Sequence, residues 1–247
     1  MDAYNPFSLV GKTVLVTGAS SGIGRGIAIA CSKMGASVVL NGRNEKRLKE
    51  TFSMMAEGSH QIAAADLNNH EAITNLTMSL PSLSGVVHCA GIGQRVLCKN
   101  LTEKDVDDVM DINFKAPVLL QTALLKQKKI MKSSSIVFIA SLAVDSPSIG
   151  NAMYSASKGA LVSYANCLAL ELAPRLIRVN CILPAMIWTD LIFQGGITEE
   201  DLREDEKKYP LKRYGTPEDV ANLAIYLLSD ASSWMTNSKI KLTGGGD

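Results

Sequence analysis

Lys12-Thr-Val-Leu-Val-Thr-Gly-Ala-Ser-Ser-Gly-Ile-Gly24 joins a short apolar run to a glycine-rich turn, and the turn opens a helical pattern. Thr13, Val14, Val16 and Thr17 are β-branched and the run stops at Gly18, which describes a strand buried on both faces, as in a parallel sheet. From Gly22 to Lys33, residues Ile23, Gly26, Ile27, Ala30 and Cys31 recur at helical spacing. Strand, tight turn and helix follow one another with no spare residues, and that unit sets the expectation for the rest of the chain.

The alternation repeats. Strands are predicted at Ser37–Asn41, Gln61–Ala65, Gly85–His88, Ile136–Ala140, Ile177–Leu183 and Lys239–Leu242. Between them, helices are predicted at Glu45–Ala56, at Asn69–Leu80 (stopped by Pro81), over one long region Glu103–Lys129, after Ser141, and at Pro217–Leu228. Seven strands alternating with helices imply an α/β fold: a single-domain, Rossmann-like, doubly wound parallel sheet with helices on both faces, covering residues 1–247. Only 185–213 breaks the rhythm. It begins apolar (Met186, Ile187, Trp188, Leu191, Ile192, Phe193), passes Gly195-Gly196 and turns highly charged. So long an excursion is usually functional, and this one reads as an apolar flap over a substrate.

Composition narrows the function classes. Of 247 residues, 47% are hydrophobic and 20% charged, and the formal net charge of +1 provides no field to draw nucleic acid or acidic lipid. The five cysteines are scattered without a C-x-x-C pair, which argues for reduced, buried thiols in a cytoplasmic protein and against a disulfide framework or a metal site. Met1 to Leu9 does not read as a secretory signal, and no apolar stretch approaches the roughly 20 residues that span a bilayer.

Three places carry chemistry. In the first turn, Gly18, Ser20, Ser21, Gly22, Ile23 and Gly24 form G-x-x-x-G-x-G rather than G-x-G-x-x-G. The glycines let the backbone approach a ligand, and the N-terminus of the following helix attracts pyrophosphate. Glycine-rich turns serve many βα joints, but the first turn of a doubly wound sheet is where a dinucleotide binds. After the second strand, Asn41-Gly-Arg-Asn44 has no acid to hold ribose hydroxyls, whereas Arg43 suits a 2′-phosphate. That favours NADP(H) over NAD(H), the alternative being an ordinary surface arginine ahead of a charged helix. Finally, Tyr154-Ser-Ala-Ser-Lys158 sets a phenol and an ammonium four apart on one helix face. Alone, such a pair is usually a packed ring and a solvated charge. Beside a cofactor, the cation would lower the tyrosine pKa and make an acid or base that works near neutrality.

Taken together, these residues resemble the short-chain dehydrogenase/reductase family over almost the whole chain. Thr17–Gly24 resembles its T-G-x-x-x-G-x-G, Asp66-Leu67 its adenine-binding pair, Asn113 its helix asparagine and Ser141 its serine. Tyr154 to Lys158 fits Y-x-x-x-K, and Pro184-Ala-Met-Ile-Trp-Thr189 fits P-G-x-[VI]-x-T. Two departures stand out. N-N-A-G is here His88-Cys89-Ala90-Gly91, which keeps the small Ala90-Gly91 pair and makes His88 structural rather than catalytic. Ala185 replaces a glycine.

The resemblance implies hydride exchange between nicotinamide and a carbonyl or secondary alcohol. Tyr154 would be the proton donor, Ser141 the substrate's hydrogen-bond partner, and Lys158 a ribose ligand that lowers the Tyr154 pKa. Asn113 would kink its helix and hold a relay water, with Ile187 and Thr189 at the carboxamide. Bringing a phenol from about 10 to 7 takes roughly 4 kcal/mol.

Length and Tyr209-Pro-Leu-Lys-Arg-Tyr-Gly-Thr-Pro-Glu-Asp219 resemble the β-ketoacyl-acyl-carrier-protein reductases. In those enzymes basic residues ahead of the fifth and sixth strands dock the acyl carrier protein. Lys132 and Arg175 hold similar places here, with Lys126, Lys128 and Lys129 nearby; the alternative is a solvated helix end. The resemblance also implies a homotetramer. Three functions stay open at this point: a ketoreductase of acyl thioesters, an NADP-linked dehydrogenase of a hydroxysteroid, sugar or small alcohol, and a non-catalytic NADP-sensing regulatory or scaffold protein.

Overall fold

The β-branched runs become seven parallel strands: β1 Thr13–Val16, β2 Ser37–Gly42, β3 Gln61–Ala64, β4 Leu83–His88, β5 Ile130–Ile139, β6 Arg178–Pro184 and β7 Ser238–Leu242. The computed structural model describes residues 4–193 and 197–246, so Gly195 and Gly196 lie outside the described residues. The strand order is β3-β2-β1-β4-β5-β6-β7, every neighbouring pair parallel. Chain direction across the sheet therefore reverses between β1 and β4. In open α/β sheets the ligand crevice lies at the carboxyl ends of the strands flanking such a reversal.

Helices α1 Gly22–Lys33, α2 Glu45–Ser53, α3 His70–Ser79, α4 Glu103–Met110, α5 Ala116–Lys126, α6 Ala152–Leu172, α7 Glu199–Glu206 and α8 Pro217–Leu228 complete the described elements. Alternate residues of the strands feed two cores. Leu15, Val86, Ile136 and Phe138 pack with Leu120 and Leu168 on one face, and Val14, Val16 and Val38 pack with Ile27 and Val220 on the other. Asn44, Asn69, Thr102, Thr198 and Thr216 cap their helices by accepting a backbone N–H. No side chain caps α1 at Ser21.

Three expectations are revised. First, β5 begins six residues earlier than predicted, because the polar run Met131–Ser135 reads as loop. The strand absorbs it through Ser133 at φ 61° and a register irregularity opposite Leu83–Gly85.

Second, the long helical region is not continuous. Pro117 has no N–H to give the Asn113 carbonyl its ordinary i+4 bond. The chain inserts a π-turn, Asp111–Lys115, in which Ala116 N donates to Asp111 O five residues back. Asn113 sits in that turn, so the expected kink has a local cause in the sequence.

Third, the excursion holds a helix, α7, and Trp188 in its apolar start is packed, while Leu191 and Phe193 stay exposed. Trp188 lies 5.4 Å from the Tyr214 ring and 4.3 Å from the Arg203 guanidinium, and its indole N–H donates to Glu206 at 3.0 Å.

His88, at the end of β4, packs against β5 and α5. Its ring stacks on Phe138 at 4.6 Å and its Nε2 pairs with Gln121 Oε1 at 3.0 Å, while Nδ1 finds no partner among the described residues. Burial pushes its pKa down to about 4, only partly opposed by the Gln121 bond. The native state therefore keeps His88 neutral while the unfolded chain takes up a proton below its ordinary 6.5. Stability is full above that pH and is lost as pH falls toward 4, by about 3 kcal/mol from this residue. In a melting series from pH 7 to pH 4, His88→Asn should lose less stability than the parent; identical slopes would show that folding does not shift the His88 pKa.

Candidate active site

The predicted residues gather along the carboxyl edge of the sheet. Gly18–Gly24 follows β1, Arg43 follows β2, Asp66-Leu67 follows β3, Ala90-Gly91 follows β4, Ser141 follows β5, and Pro184 ends β6 with Ile187 and Thr189 beyond it. Tyr154 lies in the first turn of α6 and Lys158 one turn on.

The first turn is built for close backbone approach. Gly18 has φ +67°, and a Cβ there would stand 3.0 Å from Ala90 Cα; a Cβ at Gly24 would stand 2.3 Å from Gly18 O. A side chain at Gly18 would run into the end of β4, and one at Gly24 into the backbone of the turn itself. Thr17 secures that junction, its hydroxyl accepting from Cys89 N at 3.0 Å and Ala90 N at 3.1 Å. A Cβ at Gly22 would stand 3.1 Å from Thr189 Cγ2, so the segment after β6 reaches across to the turn. With the start of α1 free of any side-chain cap, this cradle fits a pyrophosphate. Arg43 is exposed and forms no hydrogen bond or ion pair with the described residues, so its guanidinium is available to a 2′-phosphate.

Around α6 the polar groups are buried and interlocked. Asn113 Oδ1 accepts from Ile92 N at 2.8 Å, while its Nδ2 donates to Ile92 O at 2.9 Å and to Ser157 Oγ at 3.1 Å. Ser157 in turn donates to Tyr154 O at 2.7 Å. Lys158 is 5% exposed, and its ammonium donates to Ile139 O at 2.9 Å and lies 5.9 Å from the centre of the Tyr154 ring. A Cβ on Gly91 would come within 3.1 Å of Asn113 Oδ1 and 3.3 Å of Lys158 Nζ, so only glycine leaves that meeting point open.

The electrostatics correct one expectation. Burial holds the Tyr154 phenol above its usual 10, and its hydrogen bond with Ser141 only partly opposes this. Burial also brings the Lys158 ammonium down from 10.5 to about 8. The lysine is directed at the Ile139 carbonyl, not at the phenol, and its closeness alone does not depress the tyrosine. Both groups are thus protonated at neutral pH, the state required of a proton donor. Burial pushes the thiols of Cys31, Cys89 and Cys181 up to about 12, which makes them inert.

Residues 18–246 match the protein-family model described as enoyl-(acyl carrier protein) reductase. The chain belongs to the short-chain dehydrogenase/reductase family. Among curated relatives, the 3-oxoacyl-(acyl-carrier-protein) reductase FabG of Rickettsia felis is 36% identical over 237 residues, 96% of this chain and 97% of the relative. A dehydrogenase/reductase from Sinorhizobium meliloti superposes with a TM-score of 0.88 at 31% identity, covering 97% of this chain and 96% of its own. A structure from Beutenbergia cavernae, described as an NAD(P)-dependent gluconate 5-dehydrogenase with bound NADP, gives 0.87 at 32% identity and 98% coverage of both. As a member of this short-chain dehydrogenase/reductase family, the protein is an oxidoreductase acting between carbonyl and secondary alcohol.

Two contributors were not singled out from the sequence. Ser157, inside the Y-x-x-x-K stretch, links Asn113 to Tyr154, and its signal is a small hydroxyl on the buried face of the helix. Arg47 pairs with Asp190 at 3.1 Å and ties α2 to the segment following Thr189, a contact that no local pattern announces.

The basic residues gather elsewhere. Lys129 donates to Met78 O and Leu80 O, and Arg175 to Ile130 O, so both fasten backbone at the amino ends of β4 and β5, opposite the edge that carries Ser141. Among the described residues no helix is long and apolar enough to cross a membrane, and no three His, Cys, Asp or Glu side chains gather as a metal site.

Proposed function

We propose that the protein is an NADP(H)-dependent reductase of 3-oxoacyl thioesters in which Tyr154 protonates the substrate oxygen. The observation carrying this is the convergence of Ser141, Tyr154, Lys158 and Asn113 beside the glycine turn. A cofactor-sensing scaffold has no use for a buried phenol, a buried ammonium and a relay amide. The names of the Rickettsia relative and of the family model both support an acyl substrate.

Gly18 to Gly24 hold the pyrophosphate, Arg43 the 2′-phosphate, and Asp66 and Leu67 the adenine. Ala90, Gly91, Pro184, Ile187 and Thr189 line the nicotinamide, and Lys158 holds its ribose. Bound there, the cofactor supplies the hydride. Ser141 hydrogen-bonds the carbonyl oxygen and orients it to Tyr154, which gives up its proton. Lys158 stabilises the phenolate left behind. The carbonyl of Asn113, deprived of its helical donor by Pro117, accepts from the water that returns a proton.

We further propose that residues 1–247 work as one oxidoreductase domain in a cytoplasmic homotetramer. The five unpaired cysteines support a reducing compartment. Carrier protein docks through Lys126, Lys128 and Lys132. These lie at the far end of β5, whose ten residues span roughly 30 Å, so a carrier seated there serves a neighbouring subunit's site.

The test is oxidation of NADPH with acetoacetyl thioester, crotonyl thioester, sugar acids and small ketones. Acetoacetyl thioester should be the preferred substrate. Preference for crotonyl thioester would move the assignment to enoyl reduction, and no turnover despite tight NADPH binding would favour the scaffold. Arg43→Ala should weaken NADPH binding by roughly 1.5–3 kcal/mol, about ten- to a hundredfold, and leave NADH binding unchanged; equal loss for both cofactors would remove Arg43 from the 2′-phosphate.

A further inference from the structure

We infer that Arg25 and Thr51 are positioning residues for the cofactor: from behind the glycine turn they fix successive peptide planes so that the N–H groups face the pyrophosphate. This rests on the reading above that Gly18 to Gly24 hold that group, and adds what holds the turn itself.

The residue types at both positions call for a reason. In α2, Leu48 and Thr51 are the buried pair, and Thr51 is 0% exposed, a place where valine would fill much the same space without a hydroxyl. Arg25 stands at the start of α1, where the helix dipole disfavours a cation.

Both side chains reach the turn. The Thr51 hydroxyl accepts from Arg25 Nε at 3.0 Å and donates to Ala19 O at 2.9 Å, with Arg47 O, one helical turn back, sharing that proton at 3.1 Å. The Arg25 guanidinium donates through Nη2 to Ser20 O at 2.6 Å, and Arg25 N donates to Ser21 O at 3.1 Å. Glu50 Oε2, 3.4 Å from Nη2, steadies the same guanidinium. Ala19 is fixed on its other side as well, its N–H donating to Asn41 O at 2.9 Å.

A trans peptide sets each carbonyl and the next residue's N–H on opposite sides. With the carbonyls of Ala19, Ser20 and Ser21 all engaged, the N–H groups of Ser20, Ser21 and Gly22 are aimed away from those partners. None of the three donates to a described residue. Oriented, unpaired N–H groups in succession make an anion site, and one that is fixed in advance needs no peptide to turn when the anion binds.

The experiment measures the dissociation constants of NADPH and of adenosine 2′-monophosphate, which lacks the pyrophosphate, by calorimetry on the full-length protein. Thr51→Val keeps shape and charge. It should raise the NADPH constant about tenfold, the effect of losing one hydrogen bond to a charged group, and leave adenosine 2′-monophosphate within about twofold of the parent. Thr51→Ser should restore the parent's value. Arg25→Met should show the same split between the two ligands, and it decides the matter if Thr51→Val does not fold. Parental NADPH binding in the substituted proteins overturns the inference. Equal weakening of both ligands also overturns it, because the pair would then only pack α2, and Arg43 with it, against α1. A parent that binds NADPH no more tightly than adenosine 2′-monophosphate removes the pyrophosphate reading and the inference together.

Discussion

Tyr154→Phe lowers kcat for carbonyl reduction by about 10²–10⁴-fold, the usual contribution of a positioned general acid, while NADPH still binds. The substitution removes one hydroxyl and keeps the ring that fills the first turn of α6, so packing is preserved. The effect is large because the nearest other acid, the Lys158 ammonium, is directed at Ile139 O and not at the substrate oxygen. Ser141 reaches the same oxygen, but the pKa of an alcohol is too high for it to deliver the proton. Burial holds the phenol above 10, so at neutral pH the proton is present on almost every molecule. The Ser141 bond pulls the phenol back toward the working range, so Ser141→Ala should slow the same step, though less. Single-turnover reduction at saturating NADPH, with cofactor affinity read separately by fluorescence, checks this. A variant with parental kcat would show that another group delivers the proton.

The elements that carry the site were legible because each is announced locally. The strand–turn–helix at Lys12 to Lys33, the Y-x-x-x-K pair and Ser141 all occupy the predicted places at the carboxyl edge. What was hidden depends on contacts between distant segments or on a single backbone defect. Pro117 was visible as a residue, but its consequence, a π-turn centred on Asn113, requires knowing which carbonyl loses its donor. Met131–Ser135 looked like loop because it lacks an apolar pattern: Met131 to Ser133 are exposed, and Ser134 and Ser135 are buried with their hydroxyls donated to backbone carbonyls. The fate of Trp188 turned on Arg203, Glu206 and Tyr214, each fourteen or more residues away, and no periodicity reports such packing. The Tyr154 pKa was misjudged for a related reason. Helical spacing says that Lys158 shares a face with the tyrosine but not that Ile139 O takes its proton donor, nor how much both groups lose by leaving water.

Lys158→Met should abolish activity and stabilise the fold at pH 7, and the second half of that outcome is the more telling. A buried ammonium with one hydrogen bond is costly, and the fall of its pKa from 10.5 to about 8 corresponds to about 3 kcal/mol paid by the native state. Methionine fills similar space without charge but leaves Ile139 O without its side-chain donor, a loss of about 1–2 kcal/mol, so the net gain is about 1–2 kcal/mol. The sign follows from linkage. Between pH 8 and 10.5 the unfolded chain binds the proton and the native protein does not, so the parent gains stability as pH rises through that window. The variant, lacking the group, does not, and its advantage should shrink to nothing or reverse above pH 10.5. Chemical denaturation at pH 7, 9 and 10.5 measures both curves. A dead variant that is also less stable at pH 7 would make Lys158 an anchor for the end of β5, with its effect on turnover following from misplaced structure. A dead variant that is more stable locates the expense of the buried charge in catalysis: the fold tolerates an unfavourable ammonium because the phenolate of Tyr154 needs a cation that water cannot screen.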